Sequence, residues 1–543
     1  MRRVAIFAVL ALAAAAFWVN SRNQQTTAPA AQDAAAVTLN RGNGHEPESL
    51  DPQRSRTDSE HVILRDLYEG LTALDAQARP APAAASAWTV STDGLTYEFT
   101  LRSGMRWSNG DPLVAEDFVF ALRRLADPAT ASPYAQIVDM LEGASEITAG
   151  KRDPRTLGVE APAPNRVVMR LRAPAPYLPG LLAHPSTFPV HRASLERFGR
   201  DFTRAGNSVS NGAFVLEAWS IGSHITARRN RYYWNDANNR IDTVKFHHVA
   251  DQAAELRRYR AGELDITYVV PGAQFQWVRE NLPRELYVSP QLSTYYYGYN
   301  LAKPPFKDNA PLRRALAMVI DRERLTQLVT GRGELPAYGW IPAGVDHYSP
   351  QSPEWARLSF EQRVAEAKRL YAQAGYSAKK PLRTQIRYNA DESHTRIALA
   401  IQAMWKEHLG VEATLVGEEF KVLLQNINQA DVTQVFRSSW IADYNDAYTF
   451  AQYLKSDFGL NLPRYRSAQY DRLVMAAAAE VDRARRQSLL EEAEALMLAD
   501  QPIIPLYFYV SKHLVKPWVQ GWRNNVMNVQ YSKDMAISGR SGT

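Results

Sequence analysis

The strongest constraint on the fold comes from residues 381–444, where strand-like and helical patterns alternate. The segments "PLRTQIRYNA" and "VEATLVGEEF" have the composition of strands, and between them "HTRIALAIQAMWKEHLG" has helical spacing that ends at a glycine. "DVTQVFRSSWIADY" then continues as a further strand. This rhythm is typical of a βαβ unit, and it favours an α/β or α+β fold.

The same alternation extends over much of the chain. In "LTYEFTLRSGMRWSNGDPL" the apolar residues Tyr97, Phe99 and Leu101 alternate with polar ones, as in a strand, and the residues "SNGD" that follow favour a turn. "VAEDFVFALRRLAD" then begins with helical spacing. A strand-rich region is predicted from "GAFVLEAWS", "RYYWND", "VKFHHV" and "LDITYVV", with a helix in "AAELRRYRAGE". No fixed-period repeat is present, which argues against a solenoid.

Length and composition indicate a large soluble protein. At about 150 residues per domain, 543 residues predict three or four domains, or fewer large ones. The formal net charge is only +6, and basic residues are interspersed with acidic ones, so we expect no nucleic-acid partner. The chain has no cysteine, which excludes disulfides, thiolate metal sites, a cysteine nucleophile and a lipid-modified cysteine.

The first residues predict export from the cytoplasm. Residues 1–22 place two arginines before an apolar run, "VAIFAVLALAAAAFWV", which is the pattern of a secretory signal peptide. An uncleaved N-terminal anchor in the inner membrane is the alternative, because the run has no clear cleavage site. Residues 23–37 are polar and Ala-rich, and they predict a linker.

Common catalytic signatures are absent from the sequence. The sequence contains no GxSxG, HExxH, P-loop or GxGxxG motif. The adjacent His247 and His248 point to opposite faces if "VKFHHV" is a strand, which disfavours a metal site. The pair Asp443 and Asp446 has the residue types for acid–base chemistry, so an exported peptidase or glycosidase is the enzyme alternative.

Ten phrases in order resemble the periplasmic oligopeptide-binding proteins of bacterial ABC permeases, in the peptide and nickel class of solute-binding proteins (family 5). The resemblance runs from about Leu39 to Ile537. Its phrases are "EPESLDPQ", "RDLYEGL", "WSNGDPLVAEDFVFALRRLADPATASPYA", "SNGAFVLEAW", "RNRYYW", "YRAGELDITY", "STYYYGYN", "PPF" followed by "LRRALAMVIDR", "WIADYND" and "LVKPWVQGW".

The resemblance implies an α/β fold of the periplasmic solute-binding type II kind, with two large lobes, a hinge and an inserted domain. Two hinge strands are expected around Ser293 and Val510, with the ligand between the large lobes and closure by a hinge motion. The implied boundaries are lobe I at 38–68, 191–292 and 511–543, inserted domain II at 69–190, and lobe III at 293–510.

The resemblance also implies the groups that hold the ligand. Asp443 corresponds to the aspartate that binds the ammonium of a peptide, and the structural alternative is that it closes an Asx turn. Arg437 corresponds to the arginine that meets the carboxylate of short peptides, with an interstrand ion pair as its alternative. His394 corresponds to a histidine that assists for longer peptides, with a polar residue at a helix N-terminus as its alternative.

Aromatic residues and departures from the family pattern complete the predicted site. Tyr134, Trp440 and Phe420 match positions that line the cleft, although aromatic residues are often simply core. Where members of the family often carry a pair of cysteines, this chain has Ser293 and Ile441. Where they have a lysine, it has Thr330. No arginine lies between Phe420 and Arg437, where the family has one. Arg56 stands at a usually acidic position and is a candidate for the missing cation.

The resulting prediction is a periplasmic binding protein and not an enzyme. It would bind oligopeptides of about two to five residues, as a monomer without cofactor or metal, and deliver them to a membrane ABC permease. The protein would hold the termini and the backbone that all peptides share, while the peptide side chains occupy roomy hydrated pockets. Alternatives are a murein peptide binder of the same family, branches that bind nickel, haem or oligosaccharide, a sensory protein tethered by its signal, and the exported hydrolase.

Overall fold

The predicted βαβ unit forms one edge of a six-stranded sheet. In the computed structural model, which describes residues 36–429 and 434–540, β13 (Arg383–Asn389) and β14 (Glu412–Glu418) are parallel neighbours joined by the helix Glu392–Leu409. β15 (Val435–Ile441) lies parallel on the other side of β13. The helix begins at the N-cap Asp391 and ends at Gly410, whose φ of 70° favours glycine. The α/β pattern read from residues 381–444 is therefore confirmed.

Two four-stranded sheets form the earlier half of the chain. The first contains, in spatial order, β1 (Thr38–Gly42), β10 (Thr243–His247), β9 (His224–Arg229) and β8 (Phe214–Ser220), with β1 and β10 parallel. The second is antiparallel and contains β4 (Ala85–Val90), β5 (Thr96–Leu101), β7 (Arg166–Arg170) and β6 (Val159–Ala163). In β5 the side chains of Tyr97, Phe99 and Leu101 are buried, as their spacing predicts.

Short strands and helices complete the described chain. β2 (Thr72–Leu74) pairs with β3 (Pro80–Pro82), and β17 (Val519–Gln520) pairs with β18 (Ala536–Ile537). The remaining longer helices are Asp58–Leu67, Ala115–Ala126, Arg192–Phe198, Gln252–Arg260, Phe275–Asn281, Ala310–Met318, Phe360–Gln373, Phe420–Asn428, Ala468–Ala479 and Arg483–Asp500.

Two long antiparallel strands connect the first sheet with the six-stranded sheet. They are β11 (Leu286–Tyr299) and β16 (Ile503–Leu514), and β12 (Leu335–Pro336) pairs with the outer side of β16. Their register shifts between Pro290 and Thr294, next to the predicted hinge positions. Beyond β16, Val515 forms a bridge to Ile266, which also bridges to β1. The two strands predicted as hinges are thus paired with each other.

Two segments predicted as strands are not strands, because side-chain oxygens accept hydrogen bonds from backbone N–H groups that would otherwise pair with a neighbouring strand. In "RYYWND" the Asn230 side chain accepts the N–H of Tyr232 at 3.0 Å, which turns the chain, and Tyr233 and Trp234 donate to Glu69. In "LDITYVV" only isolated bridges form, at Ile266, and the buried Glu255 carboxylate accepts the N–H of Tyr268 at 2.6 Å. Both segments remain ordered, but as irregular structure.

A buried carboxylate organises the segment that follows β12. Glu494, on the helix Arg483–Asp500, accepts the backbone N–H groups of Trp340 and Ile341 at 2.7 and 2.9 Å. It also accepts the hydroxyl of Tyr348. Burial raises the pKa of Glu494 to about 7, although these hydrogen bonds oppose the shift.

The N-terminal predictions are not addressed by the described residues. The signal or anchor segment 1–22 and nearly all of the linker 23–37 lie outside them. Within residues 36–429 and 434–540, no helix has both the length and the hydrophobicity required to span a bilayer.

Candidate functional site

β15 carries the predicted ligand residues on two faces and at its end. Phe436 and Trp440 face an apolar cluster of the sheet, while Arg437 lies between them in sequence and points the other way, over the ring of Tyr295. The strand ends at Ile441, and Asp443 follows two residues later. β15 pairs along its whole length with β11 and at Val435 and Phe436 with β13, and this pairing holds the backbone of the strand in place.

Asp443 has no partner among the residues that the structure describes. Its side chain is exposed to solvent, and no hydrogen bond or ion pair to it is found there. Protein nevertheless surrounds the carboxylate closely enough that desolvation raises its pKa to about 6. A carboxylate in this state gains strongly from a cationic partner, because it has lost part of its hydration without receiving a counter-charge.

The neighbouring Asp446 takes the structural role that was the alternative for Asp443. Its carboxylate forms a two-point ion pair with Arg486, at 2.8 and 2.9 Å, and also accepts the N–H of Tyr448 at 2.8 Å. The two aspartates differ accordingly, since Asp446 is committed to the protein and Asp443 is not. This arrangement gives no support to a pair of carboxylates sharing acid–base work.

Arg437 is held by neutral groups. Its guanidinium donates to the Asn389 amide oxygen at 3.1 Å and to the Tyr509 hydroxyl at 3.2 Å, and it stacks 4.7 Å from the centre of the Tyr295 ring. In the described residues no carboxylate lies within ion-pair distance of it, so an interstrand ion pair is not formed. The positive charge stays uncompensated and oriented, which suits binding of an anion.

His394 lies next to Arg437 and also has the structural role that was its alternative. It is in the first turn of the helix Glu392–Leu409, and its backbone N–H donates to the N-cap Asp391 at 2.8 Å. Its ring contacts the Tyr295 hydroxyl at 3.1 Å through Nδ1 and the Asp391 carboxylate at 3.0 Å through Nε2. Burial, and then the charge of Arg437, lower the pKa of His394 to about 4, so the ring is neutral at pH 7.

Tyr134 and Trp440 occupy different surroundings. Tyr134 packs on the rings of His184 and His61, with centroids 4.6 and 5.7 Å away. Burial, and then the charge of Asp443, raise the pKa of Tyr134 to about 12, so these two side chains influence each other. Trp440 packs on Tyr453 at 4.6 Å as part of the core, with its indole N–H buried and without a partner among the described residues.

Phe420 and Arg56 are not brought to the other predicted residues. Phe420 begins the helix Phe420–Asn428 with 51% of its surface exposed, and no ring contact of it is found in the described chain. Arg56 is exposed, and it lines a separate cavity of about 1630 Å³ together with Arg54 and Arg124. None of the other six predicted residues lines that cavity. In the described residues no contact joins Arg56 to the Arg437 cluster, which consists of Arg437, Asn389, Tyr295, Tyr509 and His394.

The departures from the family pattern have clear structural positions. Ser293 and Ile441 are direct partners across β11 and β15, so a pair of cysteines at these positions would face each other. Thr330 is buried, and its hydroxyl contacts Glu334 at 2.9 Å and the carbonyl of Thr326 at 3.0 Å. Thr330 therefore cannot replace the charge of a lysine.

Sequence reasoning missed four side chains around Arg437 and His394. Asn389 could have been found, because it ends a parallel strand at the sheet edge where α/β proteins place binding groups. Tyr295 and Tyr509 lie in the two phrases predicted as hinge strands, but nothing in the local pattern shows which tyrosine faces Arg437. Arg332 has no local signal; it influences His394 electrostatically from a loop that is distant in sequence.

Comparison with known proteins defines the class. Residues 79–461 match the family described as bacterial extracellular solute-binding proteins, family 5 Middle, and the chain belongs to this family. These are binding proteins for transport and not enzymes, and the predicted α/β fold of the type II-like, two-lobed kind is confirmed.

Individual relatives narrow the comparison. The chain is 38% identical over 504 residues to the periplasmic oligopeptide-binding protein OppA of Escherichia coli strain K12, covering 92% of each chain. The unliganded open form of the periplasmic murein tripeptide-binding protein MppA has a TM-score of 0.83 at 35% identity, covering 93% of this chain and 98% of that one. OppA of Haemophilus influenzae in complex with the peptide RPPGFSPFR has a TM-score of 0.77 at 35% identity, covering 93% and 99%.

Proposed function

We propose that this protein binds oligopeptides of about two to five residues in a closing cleft and delivers them to an ABC permease. Asp443 binds the ammonium group of the peptide and Arg437 binds its carboxylate. The observation that carries the proposal is the Asp443 carboxylate, with its pKa raised to about 6, just beyond the strand that carries Arg437; within residues 36–429 and 434–540 neither side chain has a partner of opposite charge. Relatives named as periplasmic oligopeptide-binding and murein tripeptide-binding proteins support it.

The spacing of the two groups is consistent with short peptides. Six residue steps separate Arg437 from Asp443, and at about 3.3 Å per extended residue this gives at most roughly 20 Å between their backbones. The length of the arginine side chain reduces the gap that the ligand spans. An extended peptide rises by the same amount per residue, so roughly three to five residues fit, and water or His394 can fill smaller differences.

The proposed lobes are those implied by the sequence resemblance. Lobe I comprises 38–68, 191–292 and 511–543, domain II comprises 69–190, and lobe III comprises 293–510. Ligand binding would favour a closed arrangement through bending at β11 and β16, where the register shift interrupts the regular ladder. The protein is proposed to act as a monomer in the periplasm, where the named relatives work.

Identification of bound ligands is the direct test. The purified protein is mildly denatured to release its bound ligands, and these are identified by mass spectrometry. The refolded protein is then titrated with tripeptides, and small-angle scattering and melting curves are recorded. A peptide held at 100 times its dissociation constant adds about 2.7 kcal/mol to the free energy of unfolding. Unchanged curves across a broad peptide library would contradict peptide binding.

A murein peptide is the second candidate ligand, because the unliganded MppA structure matches with a TM-score of 0.83. Competition between murein tripeptide and a mixed tripeptide pool distinguishes the two ligands. The same pool, analysed after incubation, tests the proposal that the protein is not a hydrolase: cleavage products that persist through repurification would contradict it.

A further inference from the structure

Arg332 lies between two parts of the molecule that are far apart in sequence. It follows Gly331 in the loop before β12, and its guanidinium donates to the Ser393 hydroxyl at 3.0 Å, next to His394. On another side it lies against Gly272, where an added methyl group would approach Nη1 of Arg332 to 2.6 Å. Its side chain is 27% exposed, so it is positioned by contacts and still reaches solvent.

The charge of Arg332 is only partly compensated. Glu334 is the acid near it, but the Lys512 ammonium lies 3.0 Å from that carboxylate, whereas the nearest approach of Arg332 is 3.8 Å. Glu334 also accepts the Thr330 hydroxyl. The acid thus has a closer cation, and the Arg332 guanidinium retains positive charge for another partner.

Arg332 and Arg437 act on the same histidine. Burial has the largest effect on the pKa of His394, and the positive charges of Arg437 and Arg332 both lower it further. The contacts place both guanidinium groups near this ring: Arg332 donates to Ser393, the residue before His394, and Arg437 stacks on Tyr295, whose hydroxyl contacts the His394 ring. Asp391 is the nearby acid. Like charges gathered around one site repel each other unless an anion joins them, so this arrangement is favourable for binding a carboxylate.

We propose that Arg332 is a second cation that binds the carboxylate of the peptide, together with Arg437. This inference rests on the proposed peptide-binding function and adds a residue that determines ligand length. Arg332 provides positive charge close to Thr330, which is itself buried and neutral. Its loop also packs on the connecting strands, since a methyl group at Gly333 would lie 3.5 Å from Val288 and 3.8 Å from Val510. Carboxylate binding at Arg332 therefore takes place beside the strands that bend on closure.

Charge removal with matched ligands tests the inference. Wild type and Arg332→Gln are titrated calorimetrically with di-, tri- and tetraalanine and with the corresponding C-terminal amides. A charge-assisted hydrogen bond to a carboxylate predicts a loss of about 10- to 100-fold in affinity for the free acid of at least one length. The amide of that length should lose less than about twofold, because it has no charge for Arg332 to bind.

Arg396→Gln is the matched control. Arg396 is on the same helix as His394 and donates to the Val329 carbonyl, just before the loop that carries Arg332, but its side chain is half exposed and its charge is not among the causes of the shift in the His394 pKa. This variant should bind acids and amides as the wild type does.

The outcomes separate the two proposals. Equal losses for acids and amides in Arg332→Gln, or no loss at any length, would overturn the inference and leave Arg332 as a packing residue beside the hinge. If the wild type binds none of the peptides, the proposed function fails instead. Melting curves establish that the variant is folded. If it is not, Arg332→Lys replaces it: the charge is kept but the two-point geometry is lost, so selective weakening of free acids supports the inference and its absence contradicts it.

Discussion

Replacing Asp443 with asparagine should weaken peptide binding while leaving the fold intact. The substitution keeps the shape of the side chain and removes its charge. In the described residues the carboxylate has no hydrogen-bond or ion-pair partner, so the unliganded protein loses no internal contact. We therefore expect an unchanged melting temperature without ligand and a large effect on binding.

The magnitude follows from burial of the ion pair on closure. Removing one member of a buried ion pair costs roughly 3–5 kcal/mol, because the remaining charge is left uncompensated. This corresponds to about two to three and a half decades in dissociation constant. The raised pKa of Asp443, about 6, shows that its carboxylate has already lost part of its hydration. Less desolvation cost therefore remains for binding, and we expect at least about two decades.

Four calorimetric titrations isolate the charge interaction. Wild type and Asp443→Asn are each titrated with a tripeptide and with its N-acetylated form. Acetylation should weaken binding to the wild type strongly and to the variant much less. Asp457→Asn, at an exposed aspartate, is the control and should resemble the wild type. A coupling energy near zero with both proteins folded would refute the reasoning, and the peptide N-terminus would then have to be held elsewhere.

Other perturbations test the same site and its scaffold. With the pKa of Asp443 at about 6 in the unliganded protein, ligand binding near and below pH 6 releases a proton, so tripeptide affinity should be retained above pH 6 and fall about tenfold from pH 7 to pH 5, whereas Asp443→Asn shows no such fall in calorimetry. Arg437→Met should weaken tripeptide acids at least about tenfold and their amides little, measured by the same titrations. Glu494→Gln should lower the free energy of unfolding in urea by about 1–3 kcal/mol, since the amide nitrogen replaces one accepting oxygen: in place of Oε1 it deprives the N–H groups of Trp340 and Ile341 of their acceptor, and in place of Oε2 it deprives the N–H of Gln351. The double variant Ser293→Cys with Ile441→Cys should oxidise to a disulfide, because these residues face each other across two strands. Its free energy of unfolding should be about 2–4 kcal/mol higher in the oxidised than in the reduced form, and no gain on oxidation would contradict that pairing.

Local patterns were sufficient for the parts of the fold that have regular periodicity. The βαβ unit was predictable because its strands and helix alternate with clear terminators, including Asp391 before the helix and Gly410 after it. The segment "RYYWND" was misread because aromatic residues favour strands on average. In this protein the Asn230 side chain turns the chain first, and the aromatic hydrogen-bond donors bind Glu69.

The candidate site was less predictable, because its members come from distant segments. Arg437 and Asp443 could be proposed from one phrase, but the different roles of Asp443 and Asp446 depend on Arg486, forty residues further on. The proximity of Arg332 to His394 depends on how a loop and a helix pack, and no periodicity encodes it. Phe420 and Arg56 show the converse: Phe420 was proposed from the resemblance and Arg56 from a departure from the family pattern, and no contact of either with Arg437 is found in the described residues.

On the proposed pairing, one anion and several cations give a simple basis for selecting peptide length. Asp443 would fix the N-terminus of every ligand, and β15, which pairs along its whole length with β11, leads from Arg437 toward it and limits the distance between them. Arg332 comes from a different segment, the loop before β12, so its distance from Asp443 is not set by β15. A peptide whose carboxylate reaches neither guanidinium leaves a charge unpaired on closure, which costs more than a poorly filled side-chain pocket. Length would then be discriminated by charge pairing at the termini, while side chains remain largely unselected.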